Sequence, residues 1–112
     1  MKATRFHTFV GLLAALVTLA ASDLLAQSAA QLGGRVTDPS KAVVAGARIG
    51  VANVATGIRR ETSSNHEGYY AVPQLQPGTY RVEVQMSGFR PLVLEGIVME
   101  TGLAKTLDVE LQ

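Results

Sequence analysis

From Gly33 onward, apolar and polar residues alternate with a period of two, and turn-forming residues interrupt the alternation about every ten positions. That pattern predicts short β-strands with one buried and one wet face. The cleanest segment runs from Tyr80 to Met86, where Tyr80, Val82, Val84 and Met86 alternate with Arg81, Glu83 and Gln85. Ala47, Ile49 and Val51 alternate with Arg48, Gly50 and Ala52, so the odd positions there are expected to face the core. Gly33–Thr37 is a first strand, closed by Asp38-Pro39-Ser40-Lys41, where aspartate caps turn amides and proline fixes φ. Asn53–Gly57 reads as a hairpin turn, and the charged Ile58–Ser63 segment returns as an edge or solvent-facing strand. Asn65–Gly68 is a tight turn, Tyr69–Val72 is a strand ended by Pro73, and Pro77-Gly78 turns the chain again. Leu92–Val98 is a strand with an expected bulge at Gly96. After Gly102, Leu107, Val109 and Leu111 alternate with Thr106, Asp108 and Glu110 in the last strand. Seven strands and no helical periodicity predict an all-β fold, a sandwich of two antiparallel sheets.

The start of the chain follows another rule. Lys2 and Arg5 precede an unbroken run, Phe9–Ala21, of thirteen residues with no charge. A helix needs about 20 apolar residues to cross a ~30 Å hydrocarbon core. The run instead suits the apolar region of a secretory signal peptide helix, residues 1–26, with cleavage expected after Ala26 and with Ala30 and Ser22 as alternatives. An uncleaved membrane anchor is the competing reading. The folded domain is then expected over residues 32–112, exported, with the bacterial periplasm or outer membrane as its address. The membrane enters only through the signal segment or a larger receptor.

Charge adds little. Lys2 and Arg5 account for two of the ten basic residues, and Asp23 is the only acidic residue before Gln27, which leaves eight of each sign beyond it. A neutral, interspersed surface has no electrostatic footprint for nucleic acid. The chain has no cysteine, so disulfides, thiolate metal sites and catalytic thiols are excluded. With about 85 residues left to fold, the core is small.

Catalytic groupings are sparse. His66, the only histidine beyond the leader, sits in a turn and reads as a turn residue. No serine lies in a G-x-S-x-G context. Glu95 and Glu100 could be paired for glycoside chemistry by spacing alone, but a small sandwich offers no deep cleft between them, so both read as solvated. Hence no catalytic, cofactor or metal residues are assigned, and no cofactor is expected. Alternation points Tyr70 and Tyr80 inward and Tyr69 outward, which makes Tyr69 the single candidate for a glycan platform.

Several strings together resemble a known family. Gly34-Arg-Val-Thr-Asp-Pro-Ser40, Gly46-Ala47, Glu67-Gly-Tyr-Tyr-Ala-Val72, Leu75-Gln-Pro-Gly-Thr-Tyr80 and Gly88-Phe89 are similar to the carboxypeptidase regulatory-like domain. The resemblance spans about Leu32–Gln112. It implies a seven-stranded Greek-key sandwich of the transthyretin (prealbumin-like) type, also grouped with carbohydrate-binding-like folds. Lys41 stands where that family often has glycine, Ala45 where it often has proline, and His66 where it often has a small polar residue. Lys41 makes a left-handed turn costlier, so the first hairpin is expected to differ locally. In bacteria, a signal followed by such a domain resembles the N-terminal extension of TonB-dependent outer-membrane receptors.

The resemblance implies a non-enzymatic accessory module of the cell envelope. It would bind an envelope protein, or the rest of a receptor, through a sheet edge or loop tips. The surfaces to probe are Ile58–Ser63, Pro39–Ala45 and Asn65–Gly68. The alternative is a carbohydrate-binding module with a glycan partner.

Overall fold

A computed structural model describes residues 29–112; the expected signal segment lies outside the described residues. Eight strands form two sheets: β1 (Ala30–Thr37), β2 (Arg48–Asn53), β3 (Arg59–Ser63), β4 (Tyr69–Leu75), β5 (Gly78–Gln85), β6 (Leu92–Met99), β7 (Ala104–Thr106) and β8 (Val109–Glu110). One sheet has the order β4-β1-β7, with β8 continuing the pairing along β1; the other has the order β3-β2-β5-β6. Their inner faces supply the core. Leu32 and Val36 of β1 and Tyr70 and Val72 of β4 pack with Ile49, Val51, Tyr80, Val82 and Val84 of the second sheet. The expected alternation therefore holds on β2, β4 and β5. Tyr70 and Tyr80 are buried, and Tyr69 is 49% exposed.

Three features depart from the expected pattern. Pro73 does not end its strand, because β4 runs on to Leu75. The Val36 N–H bonds to the Gly68 carbonyl, so even-numbered residues of β4 face β1 and Pro73 falls on the open edge. A proline there breaks no ladder bond. The last expected strand is two strands, and both pair parallel with β1, so the sandwich has eight strands and its first sheet is mixed rather than antiparallel. Between β7 and β8 the ladder is patched by other groups. The Leu107 N–H donates to the Gly33 carbonyl at 2.7 Å, and Asp108 Oδ1 accepts the Arg35 N–H at 2.9 Å.

The third departure is Lys41. It takes the left-handed conformation itself, at φ 71°. Asp38 holds the turn: its Oδ1 accepts the N–H groups of Ser40 and Ala42 and the Ser40 hydroxyl. Lys41 then reaches Glu110 of β8, with 2.7 Å between Nζ and Oε2. The expected bulge at Gly96 is present, with φ 70° and a register shift between β5 and β6.

Candidate functional site

The loops flagged in the sequence meet at one end of the sandwich. Thr37 and Val43 form a β-bridge, and Gly68 packs so closely against the Val36 carbonyl and the Val43 side chain that a Cβ there would lie within about 3 Å of both. Asn65 shapes the second loop by accepting the Glu67 and Tyr69 N–H groups on its Oδ1. Ser64, which has no obvious signal in the sequence, joins the two loops from inside. Its buried hydroxyl donates to the Val44 carbonyl at 2.7 Å and accepts the Ala47 N–H at 2.9 Å. His66 and Glu67 are exposed at this tip, as are Pro39, Ser40 and Lys41.

Strand β3 leads out of this end along the edge of its sheet. The Asn53 N–H bonds to the Ile58 carbonyl and the Ser64 N–H to the Ala47 carbonyl, so even-numbered residues of β3 face β2. By the antiparallel alternation, the backbones of Arg59, Glu61 and Ser63 point away from the sheet. Their side chains lie on its outer face. There Arg59 pairs with Glu61 and Glu83, and Arg81 with Glu83 and Glu95, giving a zigzag of alternating charge across the sheet. The side chain of Arg60 points the other way and donates to the Pro73 and Gln74 carbonyls, closing the gap to β4. On the far side of the sandwich Lys105 donates to the Val98 carbonyl in the same manner.

Tyr69 projects from β4 as expected, but one face of its ring is occupied. The Arg35 guanidinium carbon lies 5.2 Å from the ring centroid, and Arg35 Nε donates to the Glu67 carbonyl. Such a stacked cation fixes the ring and covers one side of it.

Acid–base chemistry has little to work with here. Glu95 lies at the bulge facing Arg81, and Glu100 is exposed in the turn after β6. Among the described residues no three histidine, aspartate or glutamate side chains converge to hold a metal. The Ser40 hydroxyl, ahead of the Ala42 and Ser40 amides, holds the Asp38 carboxyl below its usual range. Hydrogen bonding and attraction to Glu110 raise Lys41, and the same pair lowers Glu110. Burial, and then the charge of Asp108, push the Tyr70 hydroxyl up to about 12. The groups so shifted sit in a turn, an exposed ion pair and a core contact, and none of these shifts brings a group to neutral pH.

The described residues thus form a small β-sandwich of two sheets. Residues 31–112 match the carboxypeptidase regulatory-like domain, and the chain belongs to that family. No curated protein matches the sequence at a significant level. Among solved structures, the fold is similar to a candidate carbohydrate-binding protein from Bacteroides uniformis, at TM-score 0.61 and 19% identity, covering 73% of this chain and 40% of that one. It is similar to the Bacillus anthracis TIE protein at TM-score 0.64 and 22% identity, covering 75% of this chain and 16% of that one. A chlorocatechol 1,2-dioxygenase from Pseudomonas putida follows at TM-score 0.60 and 16% identity, covering 77% and 61%. This chain spans less than two thirds of each of the three, and at such identities the likeness is one of fold.

Proposed function

We propose that this domain is a non-catalytic accessory module of the bacterial cell envelope, exported by its N-terminal segment. It would act free in the periplasm or as the N-terminal extension of a TonB-dependent receptor. It binds a protein partner along the β3 edge and the adjoining loops Asp38–Gly46 and Ser64–Gly68. The observation that carries this reading is the outward backbone of Arg59, Glu61 and Ser63, which has no strand partner among the described residues and runs directly into the joined loop tips. An unpaired edge is a template for an added strand, and the Arg59–Glu61 charge pattern restricts it to a complementary partner. The contrast with the β4 edge is informative: there Pro73 removes a donor and Arg60 occupies the carbonyls.

Capture from envelope extract tests the reading when done with the wild-type chain and Glu61→Pro in parallel. The substitution removes an outward N–H without breaking a bond to β2. A partner held by the wild type and lost by Glu61→Pro supports the reading; equal capture by both, or none by either, overturns it. The second reading, a carbohydrate-binding module, is supported by the likeness to the Bacteroides protein.

A further inference from the structure

The end of the sandwich away from the joined loops carries a pocket of about 150 Å³, lined in part by Asn53, Thr56, Ile58, Arg60, Gln74 and Tyr80. It lies where β2 turns into β3 and where β4 ends. Asn53 is only 7% exposed. Its Oδ1 accepts the Ala55 and Thr56 N–H groups at 2.9 and 3.1 Å, which shapes the hairpin. Its Nδ2 has no acceptor among the described residues; it lies beside Gly78, where a Cβ would come within 3.1 Å of it, and Asn53 itself lines the pocket.

Gln74 is the second unusual feature. It holds φ at 56°, a left-handed value at the penultimate residue of β4, where the β1–β4 register shifts. A bulge of this kind re-aims a side chain, and backbone strain in a non-glycine residue clusters at functional sites. Here Gln74 stands on the pocket wall, and among the described residues neither Gln74 nor Gln76 has a side-chain hydrogen-bond partner. Thr56 Oγ1 accepts the Ile58 N–H, which leaves its own proton to donate. Arg60 is locked by the Pro73 and Gln74 carbonyls at 3.2 and 3.4 Å, and Tyr80 by the Gln76 carbonyl at 2.6 Å. Ile58 and the Tyr80 ring supply apolar wall.

No carboxylate lines the pocket. It offers three amides and a hydroxyl, of which the Gln74 and Gln76 amides are both donor and acceptor, beside a short apolar surface. That is the chemistry of a hydroxyl-rich ring. The volume holds several waters, room for one face of such a ring. We propose that the Asn53–Gln74 pocket binds the terminal sugar unit of a neutral glycan. The proposal rests on the carbohydrate-binding reading and puts the site away from Tyr69, at the opposite end of β4.

The test titrates neutral gluco-, xylo-, galacto- and manno-oligosaccharides into the purified chain, followed by the side-chain amide NMR signals of Asn53, Gln74 and Gln76. At least one sugar should move the Asn53 signals. Gln74→Gly should weaken that sugar at least tenfold without lowering the melting temperature, because glycine accepts the left-handed backbone. Tyr69→Ala should leave binding unchanged. Sugar binding that leaves the three amides unmoved, or that Tyr69→Ala alone abolishes, overturns the pocket and leaves the carbohydrate reading standing. Silence across the whole panel overturns both.

Discussion

The hydroxyl of Tyr70 donates a hydrogen bond to the carbonyl oxygen of Leu107, and that carbonyl lies directly over Gly34. Gly34 and Tyr70 are paired across β1 and β4, so one contact joins these two strands to the segment between β7 and β8. A Cβ on Gly34 would sit 2.5 Å from the Leu107 carbonyl carbon, and backbone has little freedom to retreat. Gly34→Ala should therefore destabilise the domain by about 3 kcal/mol or more, and Tyr70→Phe by about 1–2 kcal/mol, since it leaves the carbonyl unpaired. Urea unfolding of the two variants measures both.

Gly50 is the counter-example. A Cβ there would meet the guanidinium of Arg59, the free end of a flexible and half-exposed side chain. Arg59 can swing aside, and a surface ion pair contributes little. Gly50→Ala should change stability by less than about 0.5 kcal/mol in the same assay. If it matched Gly34→Ala, the distinction between a backbone neighbour and a side-chain neighbour would fail.

Stability should decline at both ends of the pH scale, for separate reasons. Tyr70 is raised in the folded state, so its neutral form is the one the fold prefers. Its contribution is complete below the ordinary tyrosine value of 10.0 and is lost as pH rises from there to about 12. Asp38 and Glu110 are lowered, so what they add is present above ordinary carboxylate values and lost as pH falls through the folded ones. Tyr70→Phe should shrink the alkaline limb to the part that belongs to Lys41, which Glu110 raises above its ordinary 10.5, and leave the acid limb intact. Thermal melts across the pH range read both limbs.

The turn at Lys41 carries strain that glycine would relieve. Lys41→Gly removes a side chain from φ 71° and gives up only an ion pair whose lysine is 76% exposed. The melting temperature should rise by about 4 °C or more, as a left-handed non-glycine residue costs about 1–2 kcal/mol. Ser64→Ala should act in the opposite sense, by about 2 kcal/mol, because it strands both the Val44 carbonyl and the Ala47 N–H. Calorimetry on the pair separates strain from satisfaction.

Residues whose neighbours are periodic were the readable ones. Val82, Val84, Ile49 and Val51 announce their buried face by alternation, and Gly96 announces its bulge by interrupting it. Tyr69 and Tyr70 sort outward and inward by the same parity. What stayed hidden depends on which edge of a strand a residue faces. Pro73 looks like a terminator until its parity relative to β1 is known. The β7–β8 split is equally illegible, because the groups that meet it, Gly34 and the Tyr70 hydroxyl, lie far away in sequence. The Asn53–Gln74 pocket needed both hidden facts, the strand continuing past Pro73 and the left-handed Gln74.

Amide hydrogen exchange on the chain, alone and with the partner captured from envelope extract, tests the binding edge most directly. Arg60 and Thr62, whose amides face β2, should be protected throughout. Arg59, Glu61 and Ser63 should exchange rapidly in the free protein and become protected when the partner binds. Protection confined to another surface, with these three amides unchanged, would contradict strand addition at β3 and the account built on it.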